Sequence, residues 1–104
     1  MIDKLNKAIS DRALEWGVHL KSASFKGCEM AGEAGEVCNE IKKLERQRLG
    51  MVGGKSDLTG LKEEIGDLVI STMIIAQHYG LDIVECAKDK FNKTSEKHGF
   101  KTRI

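Results

Sequence analysis

The stretch Glu63-Glu64-Ile65-Gly66-Asp67-Leu68-Val69-Ile70-Ser71-Thr72-Met73-Ile74-Ile75-Ala76 decides the fold class. From Leu68 to Ala76 it is apolar nearly all round, interrupted only by Ser71 and Thr72. That run is too short for a membrane span, which needs about 18 to 20 apolar residues. A helix apolar on every side is one that other protein covers. Glu64 and Asp67 stand one turn apart on this same helix, and a carboxylate buried without a partner costs several kcal/mol. Whatever this chain does must account for those two acids.

Outward from this stretch the pattern stays helical. The third helix starts near Asp57 or Thr59 and runs to Tyr79, with Gly80 suited to the left-handed position after its end. Upstream, Leu49 to Asp57 has three glycines in nine residues and no period, which reads as a loop, flexible and able to act as a lid. A second helix runs from Ser24, the candidate N-cap, to about Arg48, with Met30, Ala34, Val37, Ile41 and Leu44 on its apolar face. Ile2, Leu5, Ile9, Ala13 and Trp16 form one face of a first helix, and Gly17 to Ala23 is a break. Asp82-Ile83-Val84-Glu85 has capping-box spacing for a fourth helix, with Val84, Ala87 and Phe91 inward and a stop before Gly99. The expected architecture is all-α, a four-helix-bundle-like single domain over residues 1–104 with a Gly-rich loop between helices 2 and 3.

Composition narrows the function. The chain has 104 residues, no proline, five aromatic side chains, and 17 basic against 16 acidic residues. A net charge of +1 argues against a general nucleic-acid binder, which carries a basic excess. The N-terminus has no apolar signal segment, and Cys28, Cys38 and Cys86 form no C-x-x-C, so a reduced, cytoplasmic protein is expected. Neither membrane nor nucleic acid is an expected partner.

The charges are segregated. Glu29, Glu33, Glu36 and Glu40 lie within roughly 60° of one another on the second helix, a single acidic stripe bordering its apolar face. An acidic pair from this stripe set against Glu64 and Asp67 on a facing helix gathers about four negative charges, each pair repelling by roughly 3 kcal/mol at ~5 Å and an effective dielectric near 20. A divalent cation removes that repulsion, and all-oxygen ligands suit hard Mg²⁺ or Mn²⁺. The competing reading is a salt-bridge network through Lys43 and Lys62, or a solvated acidic face.

At this point the residues resemble a family. Glu33-Ala34-Gly35-Glu36, 27 residues, then Glu64-Ile65-Gly66-Asp67 is similar to the E-x-x-E, spacer, E-x-x-D signature of MazG-like nucleoside triphosphate pyrophosphohydrolases. The phrases from Glu29 to Val37, Glu63 to Val69 and Lys90-Phe91-Asn92-Lys93-Thr94-Ser95 resemble small members of that family. The resemblance implies an all-α fold that cleaves (d)NTP to (d)NMP and pyrophosphate. It implies that Glu33, Glu36, Glu64 and Asp67 are the catalytic, Mg²⁺-holding set, with Mn²⁺ as a substitute, and that Lys90 and Asn92 contact the nucleotide. Either Glu36 or Glu33 is the candidate to take a proton from the attacking water.

Further substrate contacts are weighed on the residues themselves. Lys43 continues the acidic stripe by one turn and is a candidate phosphate contact. Trp16 ends an apolar row and reads as core, with stacking on a base as its other role. Gly50 to Ser56 is one residue short of a P-loop and no strand precedes it. Neither acidic motif has the histidine that a di-iron bundle needs. The apolar third helix calls for cover from a second copy, and the resemblance likewise implies a homodimer or a dimer of dimers. Two alternatives stand beside the leading reading. One is hydrolysis of another phosphoanhydride such as phosphoribosyl-ATP; the other is a non-catalytic helical dimer acting as a regulatory or protein-binding module.

Overall fold

The computed structural model describes all 104 residues as four α-helices and one short 3₁₀ turn, with no strand. Helix α1 spans Ile2–Glu15, α2 Ala23–Arg48, α3 Thr59–His78 and α4 Ile83–His98, with the 3₁₀ turn at Val18–Leu20. No helix is long and apolar enough to cross a membrane. The three cysteines are exposed and unpaired.

The helix ends follow local chemistry. Gly17 ends α1 in the left-handed conformation (φ 77°), which turns the chain into the 3₁₀ segment. The N-cap of α2 is Ser22, two residues before the expected Ser24: its hydroxyl accepts from the Phe25 N–H at 3.1 Å. An N-cap needs extended backbone, and Ser22 has it (ψ 163°), whereas Ser24 already lies inside the helix. The start of α3 is braced by the Asp57 carboxylate, which accepts from the Thr59 N–H at 3.1 Å. Asp82 caps α4 by accepting from the N–H groups of Val84 and Glu85. Gly80 and Gly99 take the left-handed positions beyond α3 and α4, as their sequence places predict.

Packing centres on α2 and α3, which make the principal helix pair, with α1 laid across α3. Met73 of α3 is completely buried, and Ile9 and Ala13 of α1 are the other buried apolar side chains. Gln77 of α3 ties α1 down by donating to Asn6, at 2.9 Å to its carbonyl and 2.7 Å to its side-chain oxygen. By contrast α4 stands apart. Val84, Ala87 and Phe91 do not turn inward within one chain; all three are exposed. Ile65 and Val69 of α3 and Ile41 of α2 are also open to solvent. The radius of gyration is 16.9 Å, against about 13 Å for a compact domain of this length. A lone chain is thus spread out, its helices sharing too little core to cover their apolar faces.

The Gly-rich connection between α2 and α3 is pinned rather than free. Met51 N–H donates to the Arg46 carbonyl at 2.8 Å, and Lys55 N–H to the Lys43 carbonyl at 3.2 Å. The Lys55 ammonium then reaches Glu40 Oε2 at 2.5 Å, while Lys43 Nζ holds Oε1 at 3.3 Å. Glu40 is buried, and its carboxyl is held below the ordinary range, first by Lys55 and then by Lys43, against the opposing effect of burial. Gly54 runs so close to α2 that a side chain there would strike the Gln47 backbone, its Cα at 2.6 Å. The expected lid is therefore a strap.

Two outcomes follow from this strap. Gly54→Ala forces backbone against backbone and costs about 1–3 kcal/mol, read as a lowered urea midpoint. Glu40 has a lowered folded pKa, so its contribution is full above 4.5 and is lost as pH falls through the folded value. Lys55 has a raised one, so its share holds below 10.5 and fades as pH rises beyond the folded value. Glu40→Gln accordingly flattens the acid limb of a stability-against-pH curve, and Lys55→Met the alkaline limb.

Candidate active site

The polar face that α2 turns to α3 is a row at seven-residue spacing: Lys26, Glu33 and Glu40. Seven residues turn a helix by about 700°, so the three lie nearly in line, about 10 Å apart. The helices run antiparallel, and each member of the row meets a different part of α3. Glu40 meets the strap beside Gly60, whose missing side chain leaves room for the Glu40–Lys55 pair. Lys26 meets His78 at the far end, Nζ to Nδ1 at 3.0 Å. Glu33, in the middle, meets Glu64 and Asp67.

Glu33, Glu64 and Asp67 each offer a carboxylate oxygen, and these oxygens lie within 4.8 Å of one another. Glu33 and Glu64 are half-buried and Asp67 is exposed. None of the three has a cationic partner; the ion pairs of the chain are Lys7–Asp11, Lys43–Glu40, Arg48–Glu45 and Lys55–Glu40. The Glu33 carboxyl is pushed above the ordinary glutamate range, first by burial, then by the charges of Asp67 and Glu64, with Glu64 near enough to share its proton. Three uncompensated hard oxygen donors facing one point are a fit for a hard divalent cation.

Beside these carboxylates opens a cavity of about 390 Å³, within the range of small-molecule sites. Glu29, Glu33 and Asp67 form its acidic side; Ile70, Ile74 and Val18 give apolar wall; Trp16 and Phe25 give aromatic wall. Trp16 is not core: it is 62% exposed, and Arg12 sits 5.0 Å from its ring centre. Lys21 is placed likewise over Phe25 at 5.3 Å. Both are cation–π contacts, and each puts a positive charge on the cavity rim.

The remaining sequence candidates lie elsewhere. Glu36 is exposed and does not join the three clustered acids; three residues beyond Glu33, it is rotated about 60° off the row. Lys43 is bound to Glu40. Lys90 lines a separate hollow with Phe91 and Phe100. Asn92 clasps the end of the chain, accepting from the Ile104 N–H at 2.9 Å and donating to its carbonyl at 3.1 Å. No network through Lys43 and Lys62 reaches the clustered acids. Conversely, Arg12, Lys21, Phe25 and Lys26 line the cavity without having been singled out. The signal for Lys26 was in the sequence: it stands seven residues before Glu33, as Glu40 stands seven after.

A family model for the MazG nucleotide pyrophosphohydrolase domain matches residues 27–100. The chain belongs to the MazG family. That family is in general divalent-metal dependent and acts in nucleotide pyrophosphohydrolysis, and this MazG domain carries an acidic cluster suited to such an ion. No curated protein and no solved structure matches the chain. The match begins one residue after Lys26, so α1, Trp16 and the aromatic end of the cavity lie outside it.

Because the Glu33 pKa is raised, the folded chain holds this proton to higher pH than the unfolded chain, and stability falls as pH rises through that window. Glu33→Gln removes the repulsion and raises the melting temperature at neutral pH without metal by a few degrees. A divalent cation taken up by these acids, with millimolar Mg²⁺ as the probe, is expected to raise the melting temperature of the unaltered chain and not that of Glu33→Gln, by linkage to the folded state. Differential scanning fluorimetry with and without EDTA reads both effects.

Proposed function

We propose that this MazG domain is a Mg²⁺-dependent pyrophosphohydrolase that converts (d)NTP and water to (d)NMP and pyrophosphate. The observation that carries the reading is the meeting of Glu33, Glu64 and Asp67 at the side of a cavity with an aromatic end. Anionic and aromatic ends in one cavity match a nucleotide, whose phosphates need a metal and whose base needs a stacking surface.

Glu33, Glu64 and Asp67 would hold the ion, and Glu36, carried by the same helix one turn on, is the further carboxylate that the family motif assigns to it. When bound, the ion neutralises phosphate oxygens and makes a water more acidic. Water oxygen bonds to the α-phosphorus, the bond from that phosphorus to the bridging oxygen breaks, and pyrophosphate leaves. The proton released from water passes to a carboxylate, Glu36 or Glu33. Arg12 and Lys21 at the rim attract the polyanion before it docks.

Lys90 and Asn92 do not line the cavity of their own chain, so in this reading they come to the triphosphate from α4 of a second copy. The exposed Ile65, Val69, Val84 and Phe91 support such an assembly, since a second copy gives them cover. Lys43 then holds Glu40 and acts on phosphate only indirectly.

Pyrophosphate release from a panel of NTPs and dNTPs, with Mg²⁺ and with EDTA, tests the activity. Asp67→Asn is expected to lower kcat/KM by about 10²–10⁴-fold while keeping the helical circular dichroism spectrum. Full activity in Asp67→Asn, or no hydrolysis of any nucleotide, overturns the reading and leaves the non-catalytic dimer. Light scattering at micromolar concentration is expected to give at least twice the mass of one chain. Mixing inactive Asp67→Asn chains with inactive Lys90→Ala chains is expected to restore activity, because one site of the mixed dimer is then intact.

A further inference from the structure

Lys26 is 6% exposed, and its ammonium has one partner, His78 Nδ1. An ammonium has three donor protons and no acceptor. The His78 ring nitrogen takes one of them, and no carboxylate takes the others, since Lys26 is in none of the chain's ion pairs. A buried cation left this way is costly unless an acceptor arrives from elsewhere. Lys26 lies in the wall shared by the 390 Å³ cavity and a second one of about 430 Å³ that holds His19 and His78. Its missing acceptor is one that a ligand in the cavity can bring.

We infer that Lys26 determines base specificity: it donates to a carbonyl oxygen on the edge of the base, so the site takes keto bases over amino bases. This rests on reading Glu33, Glu64 and Asp67 as the phosphate end. Lys26 precedes Glu33 by two helical turns on the same side, about 10 Å along the axis. That separation is comparable to the reach from the α-phosphate of a nucleotide to the far edge of its base. Trp16, Phe25 and Ile74 line the cavity with Lys26 and offer a flat ring aromatic and apolar surface, with Arg12 and Lys21 set over the two aromatic rings. The C4 carbonyl of uracil or thymine, or the C6 carbonyl of guanine, accepts from the ammonium at the edge where cytosine and adenine carry an amino group. The amino group of cytosine or adenine sets donor against donor. A hydrogen bond to a charged group, made in one case and unmade in the other, is worth about 10- to 100-fold. His78, accepting at Nδ1, is a positioning residue that aims the ammonium.

The test compares kcat/KM for dUTP, dTTP, dGTP, dCTP and dATP in the unaltered chain and in Lys26→Gln, whose amide can accept as well as donate. The unaltered chain is expected to favour the three keto substrates by about 10- to 100-fold. Lys26→Gln is expected to compress that ratio at least tenfold. Equal rates on all five, a preference for dCTP or dATP, or an unchanged ratio in Lys26→Gln overturns the inference. An equal slowing on all five assigns Lys26 to phosphate instead and overturns it too. A second arm needs no turnover: dTMP and dCMP binding without metal, followed by calorimetry and by quenching of the single tryptophan, Trp16. Tighter dTMP binding that depends on Lys26 supports the inference even if no triphosphate is hydrolysed, in which case the pyrophosphohydrolase reading fails alone. Indifferent binding beside active hydrolysis sinks the Lys26 inference alone.

Discussion

The structure depends on holding like charges together. Glu33, Glu64 and Asp67 are brought within 4.8 Å of one another with no cation between them, and the pKa of Glu33 registers the strain. Something must press α2 against α3 despite this. Part of it is apolar, from Met73 and the residues around it. Part is electrostatic and acts at the ends of the seam. The Glu40–Lys55 pair fastens the strap before α3 to α2 at one end, and the Lys26–His78 contact lies at the other. The middle can then be repulsive because the flanks are not. Acids held together in this way are suited to a divalent cation, as the family's general metal dependence requires.

The same seam explains the division of labour within one acidic stripe. Glu33 and Glu40 are the same residue type on the same side of α2. One meets acids and stays uncompensated; the other meets a lysine from the strap and becomes part of the frame. Gly60 makes the difference at the second place, because a side chain there would occupy the space of the ion pair. The Gly-rich stretch that looks like a mobile lid is in fact the source of that lysine. Its glycines let the backbone lie against α2 rather than swing away from it.

The open arrangement of α4 bears on function as much as on stability. A chain with three buried apolar side chains and a radius of gyration of 16.9 Å has little core of its own. The proposed second copy would supply both missing cover and the basic residues of α4, so assembly and activity would be coupled. The aromatic end of the cavity is built differently, from α1, the 3₁₀ turn and the start of α2, within one chain. The clustered acids Glu33, Glu64 and Asp67 lie inside the stretch matched to the MazG model, and Trp16, Phe25 and Lys26 lie before it.

By itself the sequence determined the four helices, most of their caps and the pairing of two acidic motifs. These are local matters: a period of 3.6, an Asp or Gly at a helix end, and carboxylates one turn apart all act within a few residues. The tertiary structure alone decided which acids meet, because that depends on where another helix stands. It set Glu64 and Asp67 against Glu33 rather than Glu36 and gave Glu40 to Lys55. It moved Trp16 from an expected core to a cavity wall, since the left-handed turn at Gly17 takes the chain away just beyond it. It also placed Lys26 in the seam with spare donors. A residue's type fixes what it can bond; only its neighbours across the fold decide what it does bond.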